Sequence, residues 1–207
     1  MGERKVHWES VYASRDEDDV SWYQARPAMS LELIARAAGG RGKEAAIIDA
    51  GGGASRLVDH LLDAGYADVT VLDIAAPALE KARARLGARA RQARWIEADL
   101  LNWRPGRPYD VWHDRAVFHF LTEAADRRRY VEVLKAALKP GGQAVIATFA
   151  PDGPEKCSGL PVMRHSPESI AAELGEAFAL IEARDEHHTT PAGRAQHFNY
   201  ARLAFQP

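Results

Sequence analysis

The residue in this chain best placed to do chemistry is Asp49, which lies between an apolar run and three successive glycines. The apolar run 45–48 predicts a buried strand, and residues 57–62 have apolar side chains at helical spacing. A strand, a glycine turn and a helix in this order begin a nucleotide-binding βαβ unit. A carboxylate at the tip of that first strand indicates the charge of the ligand.

The carboxylate of Asp49 argues against a ligand with phosphate groups. A loop that binds pyrophosphate presents N–H groups and a helix N-terminus, and an aspartate there would repel the phosphates. The dinucleotide pattern would also need a small residue at the position of Arg56. The sequence has no Gly-Lys-Ser/Thr of a P-loop after these glycines. A cofactor with an amino group and a sulfonium, and no phosphate, suits Asp49 better.

Two further aspartates follow the next two predicted strands. Asp73 ends the run 68–73, and Asp99 comes directly after the run 93–97. The carboxyl ends of parallel strands meet at one edge of a sheet, where ligands bind. A carboxylate at Asp73 can accept hydrogen bonds from both hydroxyls of a ribose. Each aspartate alone is also a common turn former, but three at successive strand tips favour one shared site.

These residues resemble the first motif of the class I S-adenosylmethionine-dependent methyltransferases, which reads acidic-x-Gly-x-Gly-x-Gly. Here the motif spans residues 49–55, with Ser55 in place of the last glycine. The resemblance extends over nearly the whole chain from about Ala28. It implies S-adenosylmethionine as the cofactor and S-adenosylhomocysteine as its product. The cofactor-binding residues implied are Asp49, Ala50, Gly51, Gly53, Asp73, Ile74, Asp99, Leu100 and Asp114.

The order of predicted elements indicates an α/β fold. Strands alternate with helices from residue 28 to residue 174, which predicts a mainly parallel sheet covered on both faces. One of these helices is expected to be capped by Thr122 and to run to Leu138. The last two strands, about 179–188 and 196–205, have no helix between them and predict a hairpin. The resemblance implies a three-layer α-β-α sandwich with a seven-stranded sheet whose last strand is antiparallel.

The length of 207 residues predicts a single domain, residues 1–207. Within it we expect a core of residues 28–207, an aromatic N-terminal lid of residues 1–27, and an acceptor-side loop of residues 150–165. The fourth strand leads into a segment that lies closest to the methyl group in the family. The predicted catalytic residues are Asp114 and His119. The predicted substrate-binding residues are Trp22, Tyr23, Arg115, Phe149 and Cys157.

Bulk properties exclude several classes of partner. The net charge of −2 predicts no strong attraction to nucleic acid or to an anionic membrane. No apolar run approaches the roughly 18 residues of a membrane span, and the polar N-terminus does not fit a signal peptide. One cysteine excludes an internal disulfide and fits the cytoplasm. We expect no metal site, and a monomer or a homodimer.

Four functions remain to be compared. The first is methyl transfer to an O, N or S atom of a small-molecule acceptor, since the chain has no added substrate domain. The second is a protein (lysine) methyltransferase, although residues 113–116 depart from the motifs of that group. The third is a nucleotide-dependent oxidoreductase, which Asp49 and Arg56 disfavour. The fourth is a non-catalytic protein that binds the cofactor.

Overall fold

A seven-stranded sheet forms the centre of the computed structural model, which describes residues 2–207; Met1, the first residue of the predicted lid, lies outside the described residues. The strands of this sheet are β1 (Ala46–Ala50), β2 (Asp68–Asp73), β3 (Ala93–Glu97), β4 (Tyr109–Arg115), β5 (Leu138–Phe149), β8 (Phe178–Thr189) and β9 (Ala195–Phe205). A separate small hairpin contains β6 (Lys156–Cys157) and β7 (Leu160–Pro161). The helices are α1 (Glu3–Ser14), α2 (Ala28–Ala38), α3 (Leu57–Asp63), α4 (Ala76–Leu86), α5 (Ala124–Ala137) and α6 (Pro167–Leu174).

The strand order is β3-β2-β1-β4-β5-β9-β8. Strands β1 to β5 pair in parallel, and β9 pairs antiparallel with both β5 and β8. The predicted fold class, including the antiparallel last strand, is therefore confirmed. The order reverses between β1 and β4, and the carboxyl ends of these strands flank the crevice where open α/β sheets bind ligands.

Both faces of the sheet are covered, because its central strands carry apolar side chains on both sides. All five residues of β1 are buried. On one face, α2 and α3 pack on β1 through Leu33, Ile34 and Leu61. On the other face, α5 and α6 contribute Tyr130, Leu134 and Ile170 to a core that includes Trp112. These two cores fix the sheet between helices and leave the strand tips free for a site.

Three local predictions differ from the structure. The lid contains helix α1, although the polar composition of this segment did not predict a helix. The side chain of Thr122 does not cap α5, since α5 begins at Ala124 after Glu123 and has no side-chain cap. Helix α5 ends at Ala137, and Leu138, the predicted last residue of this helix, is the first residue of β5. No helix within residues 2–207 is long and apolar enough to cross a membrane.

Candidate functional site

The glycine turn after β1 is held close to two neighbouring segments. The N–H groups of Gly51 and Gly52 donate to the carbonyl of Leu72 on β2, at 2.7 and 3.1 Å. Gly51 has φ +74°, a left-handed conformation that favours glycine. A Cβ on Gly51 would come within 2.0 Å of Val117 Cγ2. The turn therefore requires glycine both for its backbone and for its approach to the segment after β4.

The three predicted carboxylates lie at successive strand tips. Asp49 and Asp73 are buried, and the half-buried Asp99 follows β3. Asp73 Oδ1 accepts a hydrogen bond from the N–H of Ala75 at 2.8 Å. Asp99 accepts from the N–H of Leu101 at 3.1 Å and from Asn102 Nδ2 at 2.8 Å. Each carboxylate is thus oriented by its own strand end.

Asp73 has the most perturbed acidity of the three. Burial, together with the charge of Asp49, raises the pKa of the Asp73 carboxyl to about 7, although the N–H of Ala75 stabilises the ionised form and lowers it. A buried carboxyl with this pKa is a common feature of functional sites. A ligand that donates hydrogen bonds to Asp73 would stabilise its ionised form.

A cavity of about 850 Å³, including its mouth, opens beside Asp73 and Asp99. One part of its wall comes from the strand tips and another from the lid and from the segment after β4. The apolar and aromatic residues of this wall are Trp8, Tyr12, Trp22, Leu72, Ile74, Ala98, Leu100, Leu101, Ala116, Val117, Phe120 and Leu121. The polar residues are Arg4, Asp73, Asp99, Arg115 and Cys157. We call this space the main cavity.

Helix α1 closes the main cavity with a single stripe of side chains. Arg4, Trp8 and Tyr12 are four residues apart and therefore share one face of the helix. The Trp8 ring makes edge contacts with Trp22 at 5.8 Å and with Phe120 at 5.0 Å between centroids. The Tyr12 hydroxyl lies beside Gly53 and Asp73, since a Cβ on Gly53 would meet it at 2.7 Å. The lid thus reaches the strand tips directly.

Polar contacts fasten the lid to the core at several points. Glu17 accepts from Arg56 at 2.5 Å and also pairs with Arg85. Gln24 Nε2 donates to Glu186 on β8 at 2.9 Å. Further fastenings are the ion pairs Arg4–Asp126 and Lys5–Glu97 and the contacts of His60 with the carbonyl of Ala25 and of His188 with the carbonyl of Ser21. In this structure the lid is closed over the cavity.

A second cavity adjoins the glycine turn on the side of β4. Its wall includes Asp49, Gly51, Gly52, Ser55, His113 and Arg115 from the core, and Trp22 and Tyr23 from the lid. Arg115 lines both cavities. Its guanidinium donates to the Tyr200 hydroxyl at 2.9 Å, to the carbonyl of Trp22 at 3.1 Å and to Glu186 at 3.3 Å. Asp49 and Arg115 thus bring opposite charges to one space.

The predicted catalytic residues Asp114 and His119 line neither cavity. Asp114 is fully buried, accepts from the Tyr130 hydroxyl at 2.7 Å and from the N–H of Val117 at 2.8 Å, and so holds the turn after β4. Burial raises the pKa of its carboxyl to about 6. His119 is also fully buried, and burial lowers the pKa of its imidazole to about 3. Their positions support packing roles and do not support contact with an acceptor.

Some of the remaining predicted site residues line a cavity and others are buried away from both cavities. Ile74, Leu100, Trp22, Arg115 and Cys157 line the main cavity, and Tyr23 lines the second. Ala50 and Phe149 are buried and line neither cavity. Burial raises the pKa of the Cys157 thiol to about 11, so the thiol stays protonated near neutral pH.

Several residues of the site have no local signal in the sequence. The stripe of Arg4, Trp8 and Tyr12 could have been found from its four-residue spacing, had the lid been predicted as a helix. Val117 and Leu121 are ordinary apolar residues of a loop segment. Ser30, Tyr200 and Glu186 come from α2, β9 and β8 and meet only in the folded chain. Within residues 2–207, no group of three or more His, Cys, Asp or Glu side chains is arranged to hold a metal ion.

Residues 48–144 match the sequence profile of a family described as a methyltransferase domain. The matched region begins on β1 and ends on β5. It therefore contains the glycine turn and the three carboxylates at the strand tips.

Individual relatives agree with this match. Over 129 residues, 60% of this chain, the sequence is 27% identical to a malonyl-[acyl-carrier protein] O-methyltransferase of Paenibacillus sp. (strain JDR-2), and it spans 46% of that relative. The fold is similar to that of the N-methyltransferase NodS of Bradyrhizobium japonicum WM9, with a TM-score of 0.74, 16% identity and coverage of 99% and 100% of the two chains. It is also similar to the 1,6-didemethyltoxoflavin-N1-methyltransferase of Burkholderia thailandensis, with a TM-score of 0.71, 19% identity and coverage of 99% and 88%.

Proposed function

We propose that this chain, whose residues 48–144 match a methyltransferase-domain family and whose fold is that of known methyltransferases, is a class I S-adenosylmethionine-dependent methyltransferase that methylates an O, N or S atom of a small-molecule acceptor. The observation that carries the proposal is the main cavity, which lies between the acidic strand tips and an aromatic lid. The aromatic side of this cavity suits a compact acceptor held beside the cofactor.

The residues at the strand tips fit the proposed cofactor. Three carboxylates surround a glycine turn whose Cβ positions are filled by Val117, Asp49 and Tyr12 atoms. Such a donor set disfavours phosphate and suits hydroxyl and ammonium groups. We propose that Asp73 holds the ribose hydroxyls, Ile74 and Leu100 pack on the adenine, Asp99 accepts from its amino group, and Asp49 binds the ammonium. S-adenosylmethionine supplies, when bound, a methyl group on an activated sulfonium leaving group.

The acceptor side of the main cavity offers little acid–base chemistry. Its ionisable groups are Arg4, Arg115, Tyr12 and Cys157. Burial raises the pKa of Tyr12 far above its usual range and that of Cys157 to about 11. Both Tyr12 and Cys157 therefore stay protonated at neutral pH, and neither acts as a base. We infer that the nucleophile is already deprotonated, or needs no deprotonation, when it enters.

Catalysis then rests on alignment and on exclusion of water. Trp8, Trp22 and Phe120 would hold the acceptor against the strand tips. The ion pairs of Glu17 and Arg4 keep the lid in place over the bound acceptor. Catalysis without a dedicated base agrees with the buried positions of Asp114 and His119, because these residues support the turn after β4.

Two names among the similar proteins are consistent with small acceptors. The Burkholderia structure contains 1,6-didemethyltoxoflavin and S-adenosylhomocysteine. The Paenibacillus relative is an O-methyltransferase of malonyl-[acyl-carrier protein]. A protein (lysine) methyltransferase is the second candidate, because the sequence of the segment after β4 does not by itself identify the acceptor. A single domain over residues 1–207, a cytoplasmic location and a monomer or homodimer stay predictions, as does the absence of a nucleic-acid partner.

The test is a methyl-transfer assay with radiolabelled S-adenosylmethionine and a lysate separated by size. We expect a labelled low-molecular-weight product, separated chromatographically from S-adenosylmethionine, only when the wild-type protein is present. Label found only on protein would favour the second candidate. Binding of NADH with no binding of S-adenosylhomocysteine in calorimetry would contradict the methyltransferase proposal itself.

A further inference from the structure

A buried chain of hydrogen bonds begins at Asp49 and leaves the cofactor side of the site. Asp49 and His113 are register partners on β1 and β4. His113 Nδ1 lies 2.7 Å from Asp49 Oδ1, and His113 Nε2 lies 2.9 Å from Ser30 Oγ on α2. All three side chains are at most 3% exposed. A contact this deeply buried is not screened by water and orients each member firmly.

A polar contact links Ser30 to a second group of hydrogen bonds on the acceptor side. Ser30 Oγ lies 3.4 Å from the hydroxyl of Tyr200 on β9. The Tyr200 hydroxyl accepts from Arg115 Nε at 2.9 Å and donates to Glu186 at 3.1 Å. We call the series Asp49, His113, Ser30, Tyr200 and Arg115 the relay. The two ends of the relay, Asp49 and Arg115, carry opposite charges and both line the second cavity. The residues between them are neither carboxylates nor guanidinium groups.

Tyr200 uses its one hydroxyl hydrogen on Glu186, and the Ser30 hydroxyl can donate to His113 Nε2. With this assignment no hydrogen lies between the two hydroxyls, so the 3.4 Å separation of Ser30 and Tyr200 is a polar contact and not a hydrogen bond. A ring nitrogen that accepts a hydrogen bond carries no proton, so the imidazole proton lies on Nδ1 and is donated to Asp49. Asp49 Oδ1 is then the acceptor of this hydrogen bond. Its other oxygen, Oδ2, faces Gly52, where a Cβ would come within 2.4 Å.

We propose that His113 and Ser30 are positioning residues that hold the Asp49 carboxylate in a fixed orientation at the second cavity, where it binds the ammonium of an α-amino acid group. The far end of the relay presents Arg115 to the carboxylate of the same group. Asp49 and Arg115 together would select a zwitterionic amino acid end on the cofactor. This assignment rests on the proposed function, because the amino acid group is that of S-adenosylmethionine.

The test compares two ligands that differ in the amino acid group. S-adenosylhomocysteine has it, and 5′-methylthioadenosine keeps the nucleoside and the thioether but lacks it. Calorimetry with both ligands is applied to wild type, Ser30→Ala, His113→Gln and His113→Asn. The amide of asparagine reaches the position of Nδ1 and can still donate to Asp49, whereas that of glutamine reaches the position of Nε2.

We expect His113→Gln to weaken S-adenosylhomocysteine binding about 10- to 100-fold, because the hydrogen bond to a charged group is lost. Ser30→Ala should weaken it about 5-fold, since the donor that fixes the tautomer is removed. His113→Asn should stay within about 3-fold of wild type. The affinity for 5′-methylthioadenosine should change less than about 3-fold in all three variants, because that ligand makes no contact with Asp49.

Ser169→Ala is the matched control, since Ser169 Oγ makes a similar contact with His165 Nδ1 at 3.1 Å away from both cavities. It should leave both affinities unchanged. An equal loss of affinity for both ligands in His113→Gln and Ser30→Ala would show a merely structural role, and would overturn the positioning role but not the proposed function. Unchanged binding of S-adenosylhomocysteine in both variants would also overturn the positioning role. If His113→Gln does not fold, Ser30→Ala decides by the same criterion. Wild-type protein that binds neither ligand would overturn the proposed function, and this assignment with it.

Discussion

The strand tips and the lid form opposite sides of one cavity and are built in different ways. The tips of β1, β2 and β3 present carboxylates fixed by short backbone contacts, such as that of Asp73 with the N–H of Ala75. The lid presents aromatic rings that touch one another edge to face and is fastened by ion pairs at its ends. One side presents polar groups from the ends of three strands, and the other presents aromatic rings from the N-terminal segment and from Phe120.

This difference separates recognition of the cofactor from recognition of the acceptor. A carboxylate at a strand tip makes directional contacts with a ligand of fixed structure. Ring edges such as those of Trp8 and Phe120 give apolar contact area that tolerates acceptors of different shape. Loops and terminal segments vary more readily than the sheet that supports them. The following substitutions test whether the two sides act separately.

Asp73→Asn should have the largest effect, because asparagine provides a single neutral acceptor where the ribose needs two charged ones. We expect affinity for S-adenosylhomocysteine to fall at least about 100-fold in calorimetry. Binding reduced by less than about 3-fold would contradict the role of this strand tip.

The same substitution should stabilise the ligand-free protein above neutral pH. Burial raises the pKa of Asp73 to about 7, whereas an unfolded aspartate titrates near about 4. Between these values the native state holds a proton that the unfolded state has lost, so the stability of wild type falls as the pH rises from about 4 to about 7. The asparagine variant has no carboxyl at this position and so has no such loss. Urea unfolding should show the variant gaining up to about 4 kcal/mol across this window, and parallel pH profiles would contradict the shift.

Gly51→Ala should destabilise the protein by about 2–4 kcal/mol, because it combines a left-handed backbone with a steric clash. The clash is with Val117 Cγ2, 2.0 Å from the new Cβ. Gly65→Ala is the matched control, since Gly65 has φ +86° but open space around its Cβ position. It should cost only about 1–2 kcal/mol in urea unfolding. Equal losses would show that the close approach of the turn to Val117 is unimportant.

Trp8→Ala should affect the acceptor side alone. Removal of the ring deletes its contacts with Trp22 and Phe120, so we expect the KM for the acceptor to rise about 10-fold and tryptic cleavage in residues 15–27 to accelerate. Affinity for S-adenosylhomocysteine should stay within about 3-fold. Trp95→Ala, on β3 and outside both cavities, is the control and should leave the cleavage rate unchanged. Equal effects of Trp8→Ala on cofactor and acceptor would show that the two sides are coupled.

Cys157→Ser should give the smallest effect, because a thiol with a pKa of about 11 is not a nucleophile at neutral pH. We expect methyl transfer within about 3-fold of wild type. Iodoacetamide should modify Cys157 slowly in native protein and quickly in urea. Rapid modification of the native protein, together with loss of activity, would assign a chemical role to this thiol.

Much of the fold followed from residues near one another in sequence. The apolar runs that end in Asp49 and Asp73 predicted two neighbouring parallel strands, and these strands pair residue by residue from Ala46 with Asp68. Burial on both faces leaves few other arrangements for such runs. The helix in the lid was missed because its residues contribute a narrow stripe and no broad apolar face.

The functional side chains also divide into those predicted from local sequence and those found only in the folded structure. The sequence by itself determined the acidic strand tips and the glycine turn, because strand ends and tight turns depend on local backbone chemistry. Only the tertiary structure decided that Asp114 and His119 are buried away from the cavities and that His113, Ser30, Tyr200 and Arg115 meet. These contacts join β4, α2 and β9, and the spacing between such elements is fixed by core packing, which no short stretch of sequence encodes.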